Sequence, residues 1–148
     1  MGLADDPRIT AFGLLLEAHA AVTAHVEREL HEAAGISGHE FGVLLRLART
    51  PGHHLRMTDL ADGAALSTSG MTRLVDRLEA AGLVERATCP NDRRGMEAVL
   101  TAKGRRLVEK ILPAHLASLE RHVSEPLGGR LEQLEAPMRA LRDSAKSR

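Results

Sequence analysis

The sequence predicts a mainly α protein, of the α+β kind, in which long N- and C-terminal helices flank a smaller mixed segment. Leu and Ala, with 23 and 22 residues, dominate the 148-residue chain, and both are strong helix formers. Over residues 83–100, apolar and polar residues alternate in two short runs that turn residues bound. This pattern predicts two short strands. A chain of this length forms one domain or one compact subunit with a buried core.

The composition excludes several classes of protein. No run of about 18 apolar residues occurs, so we expect no transmembrane helix. The N-terminus lacks the basic and apolar regions of a secretory signal, and a single cysteine fits a reducing cytoplasm. The chain has no Trp or Tyr and only 2 Phe, which argues against a platform that stacks single-stranded nucleic acid. A cytoplasmic protein with no membrane contact is expected.

The charges are balanced overall but unevenly distributed. The 20 basic and 20 acidic residues cancel. Residues 1–40 carry a balance of −5, residues 41–65 of +1, residues 66–110 of +3 and residues 111–148 of +1. A basic middle is the layout expected if only that segment meets a polyanion, although a solvated surface can carry the same excess.

The first predicted helix covers residues 7–34 and ends at Gly35. Ser37 and Glu40 then form a capping box that opens a second helix, which residues 50–52 close. Three- and four-residue steps place one apolar stripe on the first helix. This stripe consists of Ile9, Phe12, Leu15, Leu16, His19, Val22, Val26 and Leu30.

The middle of the chain predicts two helices and a hairpin. A short helix over 58–64 and a tight turn precede a helix over 68–81, for which Ser67 is the N-cap and Gly82 the stop. The alternating segment 83–100 predicts a β-hairpin with a loop of about eight residues.

The C-terminal part predicts two more helices. Thr101 is the expected N-cap of a helix over 102–124, which Pro113 should kink or leave with one unpaired carbonyl. Residues 126–129 separate a last helix, whose middle Pro137 weakens.

The helices over 58–64 and 68–81 predict a helix-turn-helix, in which the start of the second helix reaches base edges in the major groove of duplex DNA. Hydroxyls and guanidiniums suit that task because they pair with base edges and phosphates. The candidates are Ser67, Thr68, Ser69, Thr72, Arg73 and Arg77. Gly70 costs helix stability, and close backbone approach to DNA is one explanation. As an alternative, the arginines are solvated surface residues.

The hairpin directly behind makes the motif a winged helix. Arg93 and Arg94 lie at its predicted tip, where they could enter a narrow, negative minor groove. Asp92, two residues before Arg94, is expected to fix the Arg94 side chain. Arg86 either contacts DNA or pairs with Glu97 across the hairpin.

These residues resemble the multiple antibiotic resistance regulator (MarR) family, and with the terminal helices the resemblance covers nearly the whole chain. The matching stretches are Leu60-Ala61, LSTSGMTRLVDRLE over 66–79, Gly82-Leu83-Val84, DRRGMEAVLT over 92–101 and Lys103-Gly104. The resemblance implies a homodimeric transcription factor, usually a repressor, with intertwined terminal helices. It also implies that Arg94 enters the minor groove and that residues 67–77 read the major groove. The departures from the family are Arg56 at a position where a capping Thr is common, Gly70, and two prolines in the terminal helices.

Dimerisation is also expected from the residues, because the terminal helices carry more apolar surface than a small winged helix can cover. The predicted domains are an N-terminal dimerisation helix over 1–36, a winged helix-turn-helix over 37–101 and C-terminal dimerisation helices over 102–148. A twofold dimer places two reading helices roughly 34 Å apart on a near-palindromic operator.

A small organic effector, if one exists, is expected between the winged helix and the dimerising helices, in a mainly aliphatic pocket that includes His19, Phe12 and Leu16. Three alternatives stay open: a metal-responsive regulator, a redox-responsive regulator, and a winged helix that binds protein without DNA. The default for Cys89 is a bystander thiol. No cofactor and no metal are predicted, and no enzyme, because the chain has no nucleophile elbow, phosphate-binding loop or metal-ligand spacing.

Overall fold

The computed structural model describes residues 2–64 and 66–147, and the side chain of Arg93 also lies outside the description. Seven α-helices and three strands cover these residues. Their bounds are α1 Pro7–Ala34, α2 Gly38–Arg49, β1 His54–Arg56, α3 Met57–Gly63, α4 Thr68–Ala80, β2 Val84–Cys89, β3 Asp92–Leu100, α5 Ala102–Leu119, α6 Glu125–Leu127 and α7 Leu131–Lys146. The predicted α+β class, with long terminal helices and a small sheet, is confirmed.

The chain packs as two compact units. One, the helical unit, comprises Met1–Glu29 and Ala114–Arg148, and the other, the winged unit, comprises Leu30–Pro113. The boundary therefore falls inside α1 and α5, because a long helix can pack against different neighbours along its length. The three-part division at residues 36 and 101 stays a prediction.

The sheet of the winged unit is antiparallel with the strand order β1-β3-β2. The expected hairpin is present, but the expected loop of about eight residues is wrong: only Pro90 and Asn91 separate β2 from β3. An irregularity in the register at Thr88/Cys89 precedes this turn. The strand β1 pairs His54 with Val99 and was missed, because three residues are too few to show a period.

The predicted capping residues begin α2, α4 and α5 and end α4. The Ser37 and Ser67 hydroxyls accept hydrogen bonds from the backbone amides of Glu40 and Gly70, each at 3.1 Å. Gly82 ends the α4 segment with φ of +74°, a conformation that favours glycine. The Thr101 hydroxyl accepts from the Gly104 amide at 3.0 Å and donates to the Gly82 carbonyl at 2.7 Å, which ties the start of α5 to the end of α4.

Helices α2, α3 and α4 pack their apolar faces together in the core of the winged unit. Leu44, Leu47, Leu60, Met71 and Val75 have no exposed surface. At roughly 25 cal/mol per Å² of apolar surface removed from water, residues of this kind supply most of the stability of such a core. The core fixes which face of α4 remains outside.

The helical unit contains the parts of the chain that depart most from the predictions. α5 runs through Pro113 to Leu119, and a π-helical turn over Glu120–Ser124 follows it directly. The expected single helix to residue 124 is therefore replaced by α5 and a wider turn. Pro137 lies inside α7 without ending it.

Helix α1 bears on the expectation that the chain has no transmembrane helix. Among the described residues it is the one helix that is long and apolar enough to cross a membrane, judged by length and composition. Counting uninterrupted apolar runs misses it, because isolated charges interrupt a stretch whose average is strongly apolar. The exposed apolar side chains of α1 are unfavourable in water, and packing against another protein helix removes them from it.

Candidate DNA-binding surface

The helix α4 turns one apolar face into the core and leaves the opposite face in solvent. Met71, Leu74, Val75 and Leu78 are buried. The predicted contact residues lie together on the exposed side, since they differ from the buried set by one or two positions on a 3.6-residue helix. Those exposed are Ser67, Thr68, Ser69, Thr72, Arg73 and Arg77.

The hydroxyl groups at the start of α4 are partly engaged in the fold. The Ser67 hydroxyl caps the helix and lies 3.2 Å from the Ser69 hydroxyl. The Thr72 hydroxyl donates to the Thr68 carbonyl at 2.9 Å, which leaves its oxygen lone pairs as acceptors. A Cβ at Gly70 would stand 3.1 Å from the Ser67 hydroxyl and crowd the cap. The fold itself therefore favours glycine at this position, whether or not DNA approaches it.

The wing places Arg94 in solvent, and Asp92 supports it differently from the prediction. The Asp92 carboxylate accepts from the backbone amide of Arg94 at 3.0 Å and lies 3.8 Å from the Arg56 guanidinium. The described support therefore goes to the Arg94 backbone, which shapes the turn, and not to its side chain. The predicted role of Arg93 lies outside the described side chains.

The wing is tightly packed around the only cysteine, which lies beside the turn between β2 and β3. Cys89 is 5% exposed. A Cβ at Gly95 would approach the Cys89 sulfur to 2.9 Å, so the wing needs glycine at that position. Burial of the thiol fits the default of a bystander, since a sensing thiol must meet its oxidant.

Arg86 does not pair with Glu97, which corrects the predicted cross-strand pair. In the register of the hairpin Arg86 lies opposite Ala98, and the Glu97 carboxylate contacts the His54 ring at 3.0 Å. The Arg86 guanidinium crosses to α4 instead, 2.6 Å from the Asp76 carboxylate and 3.1 Å from that of Glu79. The sequence offers one weak signal for this cluster: residues 76 and 79 are one helical turn apart and share a face.

A cavity of about 280 Å³ lies within the winged unit. The α2 residues on its wall are Gly38, His39, Gly42, Val43, Leu45, Arg46 and Arg49, and Gly63 and Ala64 close it at the end of α3. The Arg46 guanidinium donates to the Asp59 and Leu60 carbonyls at 3.2 and 3.3 Å, so one wall of the cavity is hydrogen-bonded to α3. Sequence reasoning missed this cavity, because its residues come from two separate helices.

The residues predicted for an effector pocket lie on the surface of α1. Phe12 and Leu16 are 61% and 54% exposed, and His19 is exposed as well. Their role in effector binding stays a prediction.

A polar cluster joins the two ends of the chain within the helical unit. One oxygen of the Glu29 carboxylate lies 2.9 Å from Arg121 and 3.2 Å from the His122 ring, which stacks on His25 at 4.5 Å. The nearby Ser118 hydroxyl, then Arg121 and His122, lower the pKa of Glu29 to about 2. Among the described residues, no group of three or more His, Cys, Asp or Glu is arranged to hold a metal ion.

A helix-turn-helix packed against a three-stranded sheet, with basic side chains on its outer face, defines a winged-helix protein. The family model described as MarR family matches residues 34–95. The chain is 31% identical over 113 residues to the HTH-type transcriptional regulator MhqR of Bacillus subtilis (strain 168), covering 76% of each chain. The chain therefore belongs to the MarR family, whose members are transcriptional regulators and not enzymes.

Two solved structures of the same fold are similar over most of the chain. Sco3205, a MarR family transcriptional regulator from Streptomyces coelicolor solved in complex with DNA, has a TM-score of 0.80 and 32% identity, covering 97% of this chain and 92% of that one. NadR, solved in complex with 4-hydroxyphenylacetate, has a TM-score of 0.72 and 30% identity, covering 86% and 89%.

Proposed function

We propose that this protein is a cytoplasmic, homodimeric repressor that binds a specific site on double-stranded DNA and is released by a small organic effector. The observation that carries the proposal is the exposed face of α4, where hydroxyls and two arginines lie together opposite the buried face. An α-helix fits the major groove, where hydroxyls and guanidiniums pair with base edges. Sco3205, which shares this fold, was solved with DNA.

The proposed contacts divide by chemistry. Residues 67–77 enter the major groove. The backbone amides at the start of α4 approach a phosphate, and the side chains of Thr72, Arg73 and Arg77 face bases or phosphates. Arg94 enters the minor groove from the wing, with Arg93 beside it. Asp92 holds the turn through the Arg94 amide, so the guanidinium extends from a fixed backbone.

The proposed second subunit covers the helical unit. The exposed large apolar residues there are Leu3, Ile9, Phe12, Leu14, Leu15, Leu16, Leu116, Leu131, Leu134, Met138 and Leu141. Surface of this extent is rare on a monomer and common at an interface. A twofold axis then presents two α4 helices to a near-palindromic operator.

The proposed effector is a small organic carboxylate. The cavity in the winged unit offers Arg46, Arg49 and His39 for the charged end and Val43 and Leu45 for the apolar part. Because Arg46 also holds the end of α3, a ligand that attracts its guanidinium acts on the helix-turn-helix itself. NadR was solved with an organic carboxylate, 4-hydroxyphenylacetate.

DNA binding is tested with a duplex selected by the wild-type protein from a random-sequence library. We expect sequence-specific binding that weakens steeply with salt. The logarithm of the binding constant should fall linearly with the logarithm of salt concentration, with a slope of about −0.9 for each phosphate neutralised. Arg94→Ala and Arg73→Ala should each weaken binding by about 1–3 kcal/mol. Arg139→Ala, which removes an ion pair with Glu135 on α7, is the matched control. If the wild-type protein selects no duplex at low salt, the proposal fails and the reading as a protein-binding module gains support.

Effector release is tested with 4-hydroxyphenylacetate as the probe. Millimolar probe should release the selected duplex from the wild-type protein. Gly42→Leu should abolish this response, because a Cβ at Gly42 would stand in open space and a longer side chain fills the cavity. Gly42→Ala is the control for helix propensity and should keep the response. If the probe and other aromatic carboxylates leave the wild-type complex intact, the proposed effector class is wrong.

A further inference from the structure

The helix that faces DNA in the proposed function carries acidic side chains on its exposed side. Asp76 follows Thr72 by four residues and Arg73 by three, so it shares their face. Its side chain is 57% exposed, and that of Glu79, one turn further, is 43% exposed. Unpaired carboxylates on a helix that lies in the groove of DNA oppose binding, because they repel the phosphates.

Arg86 neutralises both carboxylates from the neighbouring strand. Its Nη2 lies 2.6 Å from Asp76 Oδ1 and donates to the Thr72 carbonyl at 3.1 Å. Its Nη1 donates to Glu79 Oε1 at 3.1 Å, and its backbone amide donates to Glu79 Oε2 at 3.1 Å. One residue of β2 thus holds three positions along two turns of α4.

The partial burial of Arg86 separates it from the surface arginines. Its side chain is 20% exposed, whereas Arg73, Arg77 and Arg94 are exposed. Its strand partner Ala98 is fully buried, which fixes the strand from which the side chain departs. A guanidinium so engaged has its donors directed at protein groups and is not free to reach a phosphate.

We propose that Arg86 is a positioning residue for DNA recognition: it cancels the charge of Asp76 and Glu79 on the reading helix and fixes the wing strand to that helix. This inference rests on the proposed function. Arg86 contacts no DNA. Its charge lets α4 approach the phosphates, and its bridging contacts hold the strand that leads to Arg94 at a constant distance from α4.

The test measures affinity for the selected duplex at fixed salt, with helix content and melting temperature as checks on folding. We expect Arg86→Ala to weaken binding on the order of tenfold or more. The triple variant Arg86→Ala, Asp76→Asn, Glu79→Gln should regain most of that loss, because the repulsive charges are gone. If the triple variant stays as weak as Arg86→Ala, the loss comes from the missing guanidinium bridge alone, and the charge-cancelling role of Arg86 is overturned.

Two further variants keep the test decisive if Arg86→Ala does not fold. Asp76→Asn alone should bind within threefold of wild type or more tightly, because it removes a carboxylate that Arg86 already neutralises. Arg86→Lys should lie between wild type and Arg86→Ala, since an ammonium keeps the charge but cannot span both carboxylates.

The outcomes are separable from those of the proposed function. If Arg86→Ala binds the selected duplex as tightly as wild type, the inference is overturned and the proposed function still stands. A tenfold loss of affinity in Asp76→Asn alone has the same consequence. Failure of the wild-type protein to bind any duplex overturns the proposed function instead.

Discussion

The winged unit and the helical unit are built from similar residues but bury them very differently. Among the described residues, every buried apolar side chain lies between Leu30 and Ile111, in the winged unit. In the described part of the helical unit one side chain is buried, the polar Ser118, and most of the large apolar residues are exposed. Met96 is the one exposed large apolar residue among those described in the winged unit. The winged unit is complete within one chain, whereas the helical unit has an apolar face for another molecule to cover.

The same helix-forming pattern serves two purposes in this protein. In α4 the apolar face meets α2 and α3 of its own chain, so the polar face is left for a ligand. In α1 and α7 the apolar residues remain outside, so the ligand surface is the apolar face itself. The surface proposed to contact DNA and the surface available for subunit association therefore lie in different units.

Replacing a core residue of the winged unit should produce the largest effect. Leu44 is fully buried in α2, and Leu44→Ala should lower the free energy of unfolding by about 2–5 kcal/mol through lost packing and a cavity. Chemical denaturation followed by circular dichroism measures this, with the half-buried Leu45→Ala on the same helix as the control. Equal effects of the two variants would contradict the division between core and surface in α2.

A charge on the apolar face of the helical unit should act on assembly. Leu134→Glu, on the exposed apolar stripe of α7, should raise the dimer dissociation constant by about thirtyfold or more, equivalent to the loss of about 2 kcal/mol at an interface hot spot. Analytical ultracentrifugation gives the constant. Ala136→Glu lies on another side of α7 and should change it little. A Leu134→Glu protein that remains as dimeric as wild type would place the interface elsewhere.

Loss of the α4 cap should have a smaller effect. Ser67→Ala removes the acceptor for the Gly70 amide and should lower the free energy of unfolding by about 1 kcal/mol. Ser67→Asp should retain most of the stability, because a carboxylate also caps a helix. Thermal unfolding is the measurement, and Ser69→Ala is the control. An equal loss of stability in Ser69→Ala and Ser67→Ala would contradict the capping role of Ser67.

The smallest expected effect concerns acid stability of the helical unit. The pKa of Glu29 falls to about 2 from the usual 4.5, so its ionised form stabilises the fold above pH 4.5. That contribution is lost as the pH falls from 4.5 towards 2, because the unfolded state binds the proton first. Glu29→Gln should therefore flatten the fall of melting temperature in this window. Glu32→Gln, an exposed carboxylate on the same helix, should not, and equal curves for Glu29→Gln and wild type would refute the assignment.

The sequence by itself determined the start of α2, both ends of α4 and the class of protein. Ser37, Ser67 and Gly82 act within a few residues of their own positions, so local chemistry places the ends of α2 and α4. The wing motif over 92–101 is equally local, which is why the family is recognisable from it. The outward position of Arg73 and Arg77 follows from helical period alone.

Only the tertiary structure decided the long-range polar contacts. Arg86 meets Asp76 and Glu79 because the hairpin folds back against α4, and the short strand β1 exists only because β3 is there to pair with it. Likewise, Glu29 meets Arg121 and His122 across most of the chain. Charged side chains have many possible partners in a sequence, and only packing of the apolar core selects among them.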